Sequence, residues 1–158
     1  MSKLISVCCQ LSNGLTRIID GCSPLVTLGI RSYIAYIFLA SGWQKITSWE
    51  STLLLFQYEY QVMFLSPKAA AIVGTAAELI LPIFLILGLG ARVPALLLFI
   101  FNYVSIIAYP AIFTPEYSAA LKQQIIWGLL IAWVIFKGHE KISLDYCLQA
   151  KVCKNYRY

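Results

Sequence analysis

Long runs of apolar residues, broken by few polar side chains, dominate the sequence. Four of these runs have about 20 residues each, which is enough for a helix to cross the hydrocarbon core of a bilayer. They cover roughly residues 24–46, 68–90, 92–110 and 118–137. The pattern predicts an all-α membrane protein, built as an antiparallel four-transmembrane-helix bundle. Residues 1–158 would then form a single membrane domain with two short tails, 1–23 and 138–158.

A more polar segment, TSWESTLLLFQYEYQVMFLSP at residues 47–67, separates the first two runs. Its large apolar side chains recur at intervals of three or four residues, which places them on one face of a helix. This segment is too interrupted to span, but it suits an amphipathic helix in the outer interface, level with Trp43 and Tyr109. Two interpretations are open, a passive anchor or a lid over a lipid-soluble ligand. The face consists of Trp49, Leu53, Phe56, Tyr60 and Met63.

Composition and charge add an orientation to this picture. The chain is 60% hydrophobic and 12% charged, whereas soluble domains carry roughly a quarter charged residues. Basic residues favour the cytoplasmic side of a membrane protein, so we expect both termini in the cytoplasm. We expect the net charge of +5 to face anionic lipid and not nucleic acid. The predicted outer side has three basic residues, whereas the predicted cytoplasmic side has eight. These eight are Lys3, Arg17, Arg92, Lys137, Lys141, Lys151, Lys154 and Arg157.

The five cysteines all fall on the side that we predict to be cytoplasmic. No two of them have the C-x-x-C spacing of a thiol oxidoreductase, and that compartment is reducing. Reduced, unpaired thiols are therefore the favoured interpretation. The alternative for the adjacent pair near the amino terminus is a soft-metal site or an acyl chain. The five are Cys8, Cys9, Cys22, Cys147 and Cys153.

Polar side chains are rare within the four runs, and three of the runs place one at a similar depth. At about 1.5 Å rise per residue, Glu78 lies roughly 18 Å from the cytoplasmic end of its helix, Asn102 about 15 Å, and Gln123 and Gln124 about 20 Å. Arg31 lies lower, about 10 Å into the first run, but its long side chain can close much of that gap. We therefore predict that Arg31 pairs with Glu78 inside the bundle, where pairing offsets desolvation.

This predicted pair has three open interpretations. It could fix the register of the helices and nothing more. It could belong to a site for a quinone or another lipid-soluble redox partner. It could also serve the passage of protons or small solutes. Pro82 cannot donate to the Glu78 carbonyl, which leaves a free acceptor beside the acid.

Three segments carry motifs of a known family. The first run reads RSYIAYIFLASGWQKI, the second AAELILPIFLILGLGAR, and KGHEKISLD follows the fourth. Together they resemble the DoxX family of small four-helix membrane proteins, over about residues 25–145. The family's G-P-G-R/K before the closing S-L-D is replaced here by Gly138, His139, Glu140 and Lys141. The residues that match the family motifs are Arg31, Gly42, Lys45, Glu78, Gly88, Arg92 and Ser143–Asp145.

The resemblance implies a bacterial inner-membrane protein, often placed in quinone-linked oxidoreductase systems. A narrower likeness, carried by LLLFQYEYQVMFLSPKAAA and FNYVSIIAYP, is to DoxX-like proteins encoded beside enzymes that modify cysteine-rich, metal-binding peptides. The leading hypothesis is a membrane subunit of a quinone-linked redox or stress-response system, with a protein partner or as a homo-oligomer. The alternatives are a non-enzymatic scaffold or assembly factor and, less favoured because no inverted repeat is visible, a small-solute transporter.

The candidate site follows from the leading hypothesis. Glu78 would accept or relay a proton and Arg31 would hold its charge, so these two are the candidate catalytic residues. No haem, flavin or nucleotide motif appears, so any cofactor would be a diffusible one, such as a quinone, or would belong to a partner protein; no covalent cofactor and no metal site are expected. Whether the chain is itself an enzyme is left open. The predicted ligand-binding residues are Asn102, Gln123, Gln124, Trp43, Lys45 and Tyr109.

Overall fold

The computed structural model describes residues 2–62, 64–88 and 92–137, with side chains from residue 21 onward. Within these ranges the chain forms helices joined by short linkers, and no strand. Two 3-10 turns, Pro110–Phe113 and Pro115–Tyr117, precede the last helix. The predicted all-α class is confirmed. The helices are α1 (Ser2–Thr47), α2 (Trp49–Tyr58), α3 (Pro67–Leu87), α4 (Arg92–Ala108) and α5 (Ser118–Lys137).

Among the described residues, three helical segments are long and apolar enough to cross a membrane: Gly21–Thr47 within α1, Pro67–Leu87, and Pro115–Lys137, which contains α5. The fourth, α4, is apolar but has only 17 residues. That length gives about 25 Å of helix, against roughly 30 Å of hydrocarbon core. Each helix occupies one of the predicted runs, with ends that differ from the prediction by a few residues. The exception is α1, which extends back through most of the predicted tail 1–23.

The ends of α3 show why the helix stops where it does. Its first residue is Pro67, and the side chain of Ser66 accepts a hydrogen bond from the backbone N–H of Ala69 at 3.3 Å. A proline at this position loses no helical hydrogen bond, and the serine satisfies a free donor. At the other end Gly88 adopts a left-handed conformation, φ 68°. Glycine does so without steric strain, which ends the helix.

The segment between the first two spans is helical over a shorter range than predicted, Trp49–Tyr58. The predicted apolar face exists, but it packs against α3. Phe56 is buried against Ala70 and Ala71 of α3, with Trp49 beside it, and Leu53 and Tyr60 pack on the same cluster. Met63, the last member of the predicted face, lies outside the described residues, as does the segment 138–158. The side chains of Cys8 and Cys9 also lie outside them, whereas Cys22 is exposed.

The four long helices pack in a ring, in which α1 and α4 each contact both α3 and α5. An apolar core fills one end of this ring, and large apolar side chains cover its outer surface. The end with the core is formed by the carboxyl half of α3 and the amino half of α4. The core residues are Ile34, Phe38, Leu85, Ala95, Leu98, Ile131 and Val134.

Candidate functional site

A cavity of about 450 Å³ lies between the helices at the other end, the one that carries α2. Its walls come from the last turns of α1, the first half of α3, the second half of α4 and the first half of α5. Phe56 of α2 and parts of the linker that follows α2 complete the enclosure. Most of the lining is apolar. The side chains with polar groups that reach it are Ser41, Gln44, Lys45, Tyr60, Glu78, Ser105, Gln124 and Trp127.

An ion pair occupies the wall between α1 and α3. Lys45 Nζ donates a hydrogen bond to Glu78 Oε1 at 2.5 Å. Glu78 is 5% exposed, and its other oxygen, Oε2, has no hydrogen-bond partner among the described residues. Ser41, one turn before Lys45, lies close enough to interact with the same carboxylate. Glu78 is part of the cavity lining, and Oε2 itself is buried within the wall.

A glycine brings the two helices together at this point. A Cβ atom on Gly42 would lie 2.9 Å from Leu79 Cγ and 3.1 Å from Glu78 Cβ. Real Cβ atoms essentially never lie under 3.0 Å from another heavy atom, so a side chain here would force Leu79 to shift, and glycine permits this approach of α1 to α3. Lys45 follows Gly42 by three residues and therefore shares its helix face. The close approach of the two helices at Gly42 thus positions the lysine that pairs with Glu78.

The structure corrects the predicted ion pair, because the cation that pairs with Glu78 is Lys45 and not Arg31. Arg31 is buried, at 2% exposure, but it contributes nothing to the cavity wall. It lies 14 residues before Lys45 in the same helix, which is about 21 Å along the axis. Lys45 is among the predicted ligand-binding residues and does line the cavity, but the prediction did not pair this lysine with Glu78. A lysine near a helix end can lay its apolar stem along the protein, so that its charged group lies at a different depth from its backbone. The prediction did not allow for this.

The predicted amide layer separates into three different environments. Asn102 is 3% exposed and its Nδ2 donates to the backbone oxygen of Gln124 at 3.1 Å, so that it joins α4 to α5. Gly128 makes room for this contact, since its Cβ would lie 3.3 Å from Asn102 Nδ2. The side chain of Gln124 lines the cavity, whereas Gln123 is exposed and lies outside the lining. Neighbouring glutamines therefore have different surroundings.

The two predicted aromatic members of the site lie outside the cavity lining. Trp43 is 66% exposed. Tyr109 belongs to a row of rings at the α2 end, with its centroid 5.4 Å from Tyr60 and 5.8 Å from Tyr117. Tyr60 in turn stacks on Phe56 at 4.7 Å and lines the cavity. Of this row, Phe56 and Tyr60 contribute to the cavity lining.

Two phenols of this row, Tyr60 and Tyr109, have a raised pKa, which favours their neutral form. Burial raises the pKa of Tyr60, and the charges of Glu78 and Glu59 raise it further. A hydrogen bond with Tyr117 is the main cause that raises the pKa of Tyr109, with burial and Glu59 adding to it. Both tyrosines therefore offer hydroxyl groups, and not charges, at the α2 end.

Sequence reasoning missed Trp127, a polar group of the lining. Its indole Nε1 is buried and has no hydrogen-bond partner among the described residues. The ring packs against Phe38 at 6.3 Å and lines the cavity. Trp127 follows Gln124 by three residues, so the two share a face of α5. This three-residue spacing from Gln124 was the sequence signal that could have identified Trp127 as part of the lining.

The arrangement suits a small and mostly apolar ligand that carries a few oxygens. Its walls would bury rings and hydrocarbon, while polar residues of the lining such as Gln44, Lys45 and Gln124 offer hydrogen-bonding groups. Ligand sites typically combine an apolar lining with a few polar groups of this kind. The site could thus hold a ligand and exchange a proton with it at the carboxylate.

Comparison with known proteins identifies the family. No curated protein and no solved structure matches the chain. A family model described as DoxX matches residues 26–111, more than half of the chain. The matched range includes Gly42, Lys45 and Glu78. Together with its apolar helices, this match shows that the chain is a multi-pass membrane protein and belongs to the DoxX family.

Proposed function

We propose that the protein binds a lipid-soluble quinone in the cavity beside Glu78, as the membrane subunit of a quinone-linked redox or stress-response system. One observation carries the proposal. A buried carboxylate, Glu78, is paired with Lys45 in the wall of a mostly apolar cavity of about 450 Å³. The apolar walls suit the ring and tail of a quinone, and the few polar groups suit its oxygens.

In this proposal the ion pair performs the chemistry. Glu78 accepts or relays the proton that accompanies quinone redox chemistry, within hydrogen-bond reach of the ligand. Lys45 holds the charge of the carboxylate, the role that the sequence suggested for Arg31. Gln124 and Trp127 orient the ligand from α5. The electrons are exchanged with the redox centre of a partner protein, to which this chain delivers the quinone.

The proposal places the helices in a bacterial inner membrane as an antiparallel four-helix bundle. Supporting this topology, the last turns of α1 and the first half of α3 line the same cavity, as do the second half of α4 and the first half of α5. The short α4 spans by tilt of its neighbours or local thinning of the bilayer. Both termini are cytoplasmic, and α2 lies at the outer interface. Protons therefore reach Glu78 from the outer side.

Thiol labelling tests the orientation. A membrane-impermeant maleimide added to intact spheroplasts should miss Cys8, Cys9, Cys147 and Cys153. The same reagent should label Ser51→Cys, which introduces a thiol at an exposed position of α2. Labelling of the native cysteines without lysis would overturn the orientation.

A pair of neighbouring glutamines tests the ligand site. Protein in lipid nanodiscs should retain added ubiquinone above the level of empty nanodiscs. Gln124→Leu should lower this retention several-fold, because it removes a polar group of the cavity lining. Gln123→Leu is the matched control, because Gln123 lies outside the lining. If neither native protein nor control retains quinone while both remain folded, the chain is a scaffold and the ion pair is structural.

A further inference from the structure

The polar groups of the cavity lie mostly on one side of it. Gln44 and Lys45 come from α1 and Gln124 comes from α5, two helices that are neighbours in the ring. Glu78 belongs to α3 but joins this side through its ion pair with Lys45. The polar head of a ligand would therefore face the side formed by α1 and α5.

The opposite side of the cavity, formed by α3 and α4, is mostly apolar. Ser105 adds a hydroxyl group there, but this hydroxyl already donates to the backbone oxygen of Asn102 in the same helix at 2.8 Å. Such a surface favours the hydrocarbon part of a ligand. The apolar residues of this side are Val73, Gly74, Phe101, Val104 and Ala108.

Two residues of the apolar side also form the rim of an opening. Val73 of α3 is 55% exposed and Val104 of α4 is 47% exposed, although both line the cavity. Lining the cavity does not by itself expose a side chain, because Ala70 and Ala108 line it too and are buried. Both rim residues lie about 6–9 Å from the helix ends on the α2 side. In a membrane crossed by these helices, the opening therefore faces hydrocarbon.

The opening lies at the seam between α3 and α4. A Cβ atom on Gly74 would lie 3.8 Å from Phe101 Cε2, so the two helices meet just inside the rim. Val104 follows Phe101 by three residues and shares its helix face. The linker after α2 crosses the same seam, because Gln61 donates its backbone N–H to the Ala108 oxygen at 2.8 Å before the chain enters α3. The opening is thus bounded by α3, α4 and this linker.

The size of the cavity decides which part of a ligand it encloses. Pockets that bury most of a drug-sized ligand have volumes of about 300–1,000 Å³, and this one has about 450 Å³. A substituted ring fits such a space, whereas a long hydrocarbon tail must leave it. The opening provides an apolar exit for that tail.

We infer that the site takes a tailed amphiphile, a long-chain quinone, whose tail passes between Val73 and Val104 into the hydrocarbon of the membrane. The ring lies in the cavity with its oxygens toward α1 and α5. The inference rests on the proposed function, because it adds the orientation and the entry route of the ligand in the same cavity.

The test plugs the opening and varies the tail. Native protein and variants in lipid nanodiscs are titrated with a long-chain ubiquinone and, separately, with its tailless benzoquinone head group, with empty nanodiscs as background. Val73→Trp and Val104→Trp each place a large ring in the rim. Each should weaken binding of the long-chain quinone roughly tenfold, or about 1.4 kcal/mol, and leave binding of the tailless one nearly unchanged.

The controls are neighbouring positions of similar exposure. Ile72→Trp and Ile107→Trp lie outside the lining and should bind both quinones as the native protein does. Ala40→Trp probes the opposite seam, since Ala40 is exposed and lines the cavity from α1. A tail-dependent loss in Ala40→Trp alone, or equal losses for both quinones at the rim, would overturn the inference and leave the proposed function intact. Binding of neither quinone to native protein would overturn both.

Discussion

The two ends of the helix ring are built in different ways. At the end that includes Arg31, apolar side chains such as Leu85 and Leu98 are completely buried and fill the interior. At the end that carries α2, the same four helices surround a cavity of about 450 Å³ and bury an ion pair in its wall. The first end has the features of a packed core, and the second those of a binding site. The same small bundle thus has a packed core at one end and a candidate binding site at the other.

The largest expected effect comes from breaking the ion pair at the cavity end. Lys45→Met should lower the free energy of unfolding by about 3–5 kcal/mol, since it leaves a buried carboxylate without its cation. Adding Glu78→Gln should recover most of this loss, because the stranded charge disappears. The measurement is equilibrium unfolding in mixed detergent micelles.

The control for these ion-pair variants uses Arg31, the buried cation at the packed end. Arg31→Met and Glu78→Gln should have additive effects on stability, because residues more than roughly 10 Å apart act independently. A coupling between Arg31 and Glu78 as large as that between Lys45 and Glu78 would contradict the structure and support the Arg31–Glu78 pair that the sequence predicted.

Truncating one leucine at each end sharpens the comparison further. Leu98→Ala should cost about 2–4 kcal/mol, because Leu98 is fully buried and its loss leaves a void in a packed core. Leu65→Ala should change stability by no more than about 0.5 kcal/mol, since Leu65 is 44% exposed at the cavity. Equal costs at both positions, from the same unfolding measurement, would show that the two ends are packed alike.

Glycine substitutions probe the contact that positions the ion pair. Gly42→Ala should destabilise the protein by about 1–3 kcal/mol, because its Cβ would overlap Leu79. Gly29→Ala lies in open space within the same helix and should stabilise by roughly 0.5–1 kcal/mol, as alanine favours the helix. The difference between the two midpoints of thermal unfolding is the readout. A neutral Gly42→Ala would mean that α1 and α3 can separate at no cost.

The smallest expected effect is a pH dependence at the α2 end. Burial raises the pKa of Tyr60 above its ordinary value of 10.0. The unfolded chain therefore releases this proton first, and the folded chain binds more protons above that pH. Stability contributed by the neutral phenol is complete below about pH 10 and declines as the pH rises further. Unfolding curves at pH 8 to 11 should show a shallower decline for Tyr60→Phe, with Tyr58→Phe, at an exposed position, as the control. If stability declines with pH as steeply in Tyr60→Phe as in the native protein, Tyr60 is not the cause of the decline.

Local chemistry was enough to predict the helices of this fold. Runs of about 20 apolar residues have few other solutions, and Pro67 and Gly88 mark the ends of α3 by their own backbone preferences. These features depend on residues close together in the chain, which is why sequence reasoning reached them.

The details of the site depend on how distant helices meet. Gln123 and Gln124 look equivalent in the sequence, and only the rotation of α5, set by the contact of Gly128 with Asn102, turns one of them toward the cavity. The choice of Lys45 as cation depends on the depth that a side chain reaches, which differs from the depth of its backbone. The cavity itself has no sequence signal, because it is space that side chains from four helices leave unfilled.

The cavity also makes the stability of this protein depend on what surrounds it. Any molecule that occupies the space in the folded chain alone shifts the folding equilibrium by mass action, about 2.7 kcal/mol at a hundredfold excess over its Kd. The lipids and detergents of a preparation compete for the same space. The melting temperature of the purified protein would then report the occupancy of the cavity as well as the strength of the fold. Preparations that differ only in their lipids should differ in apparent stability.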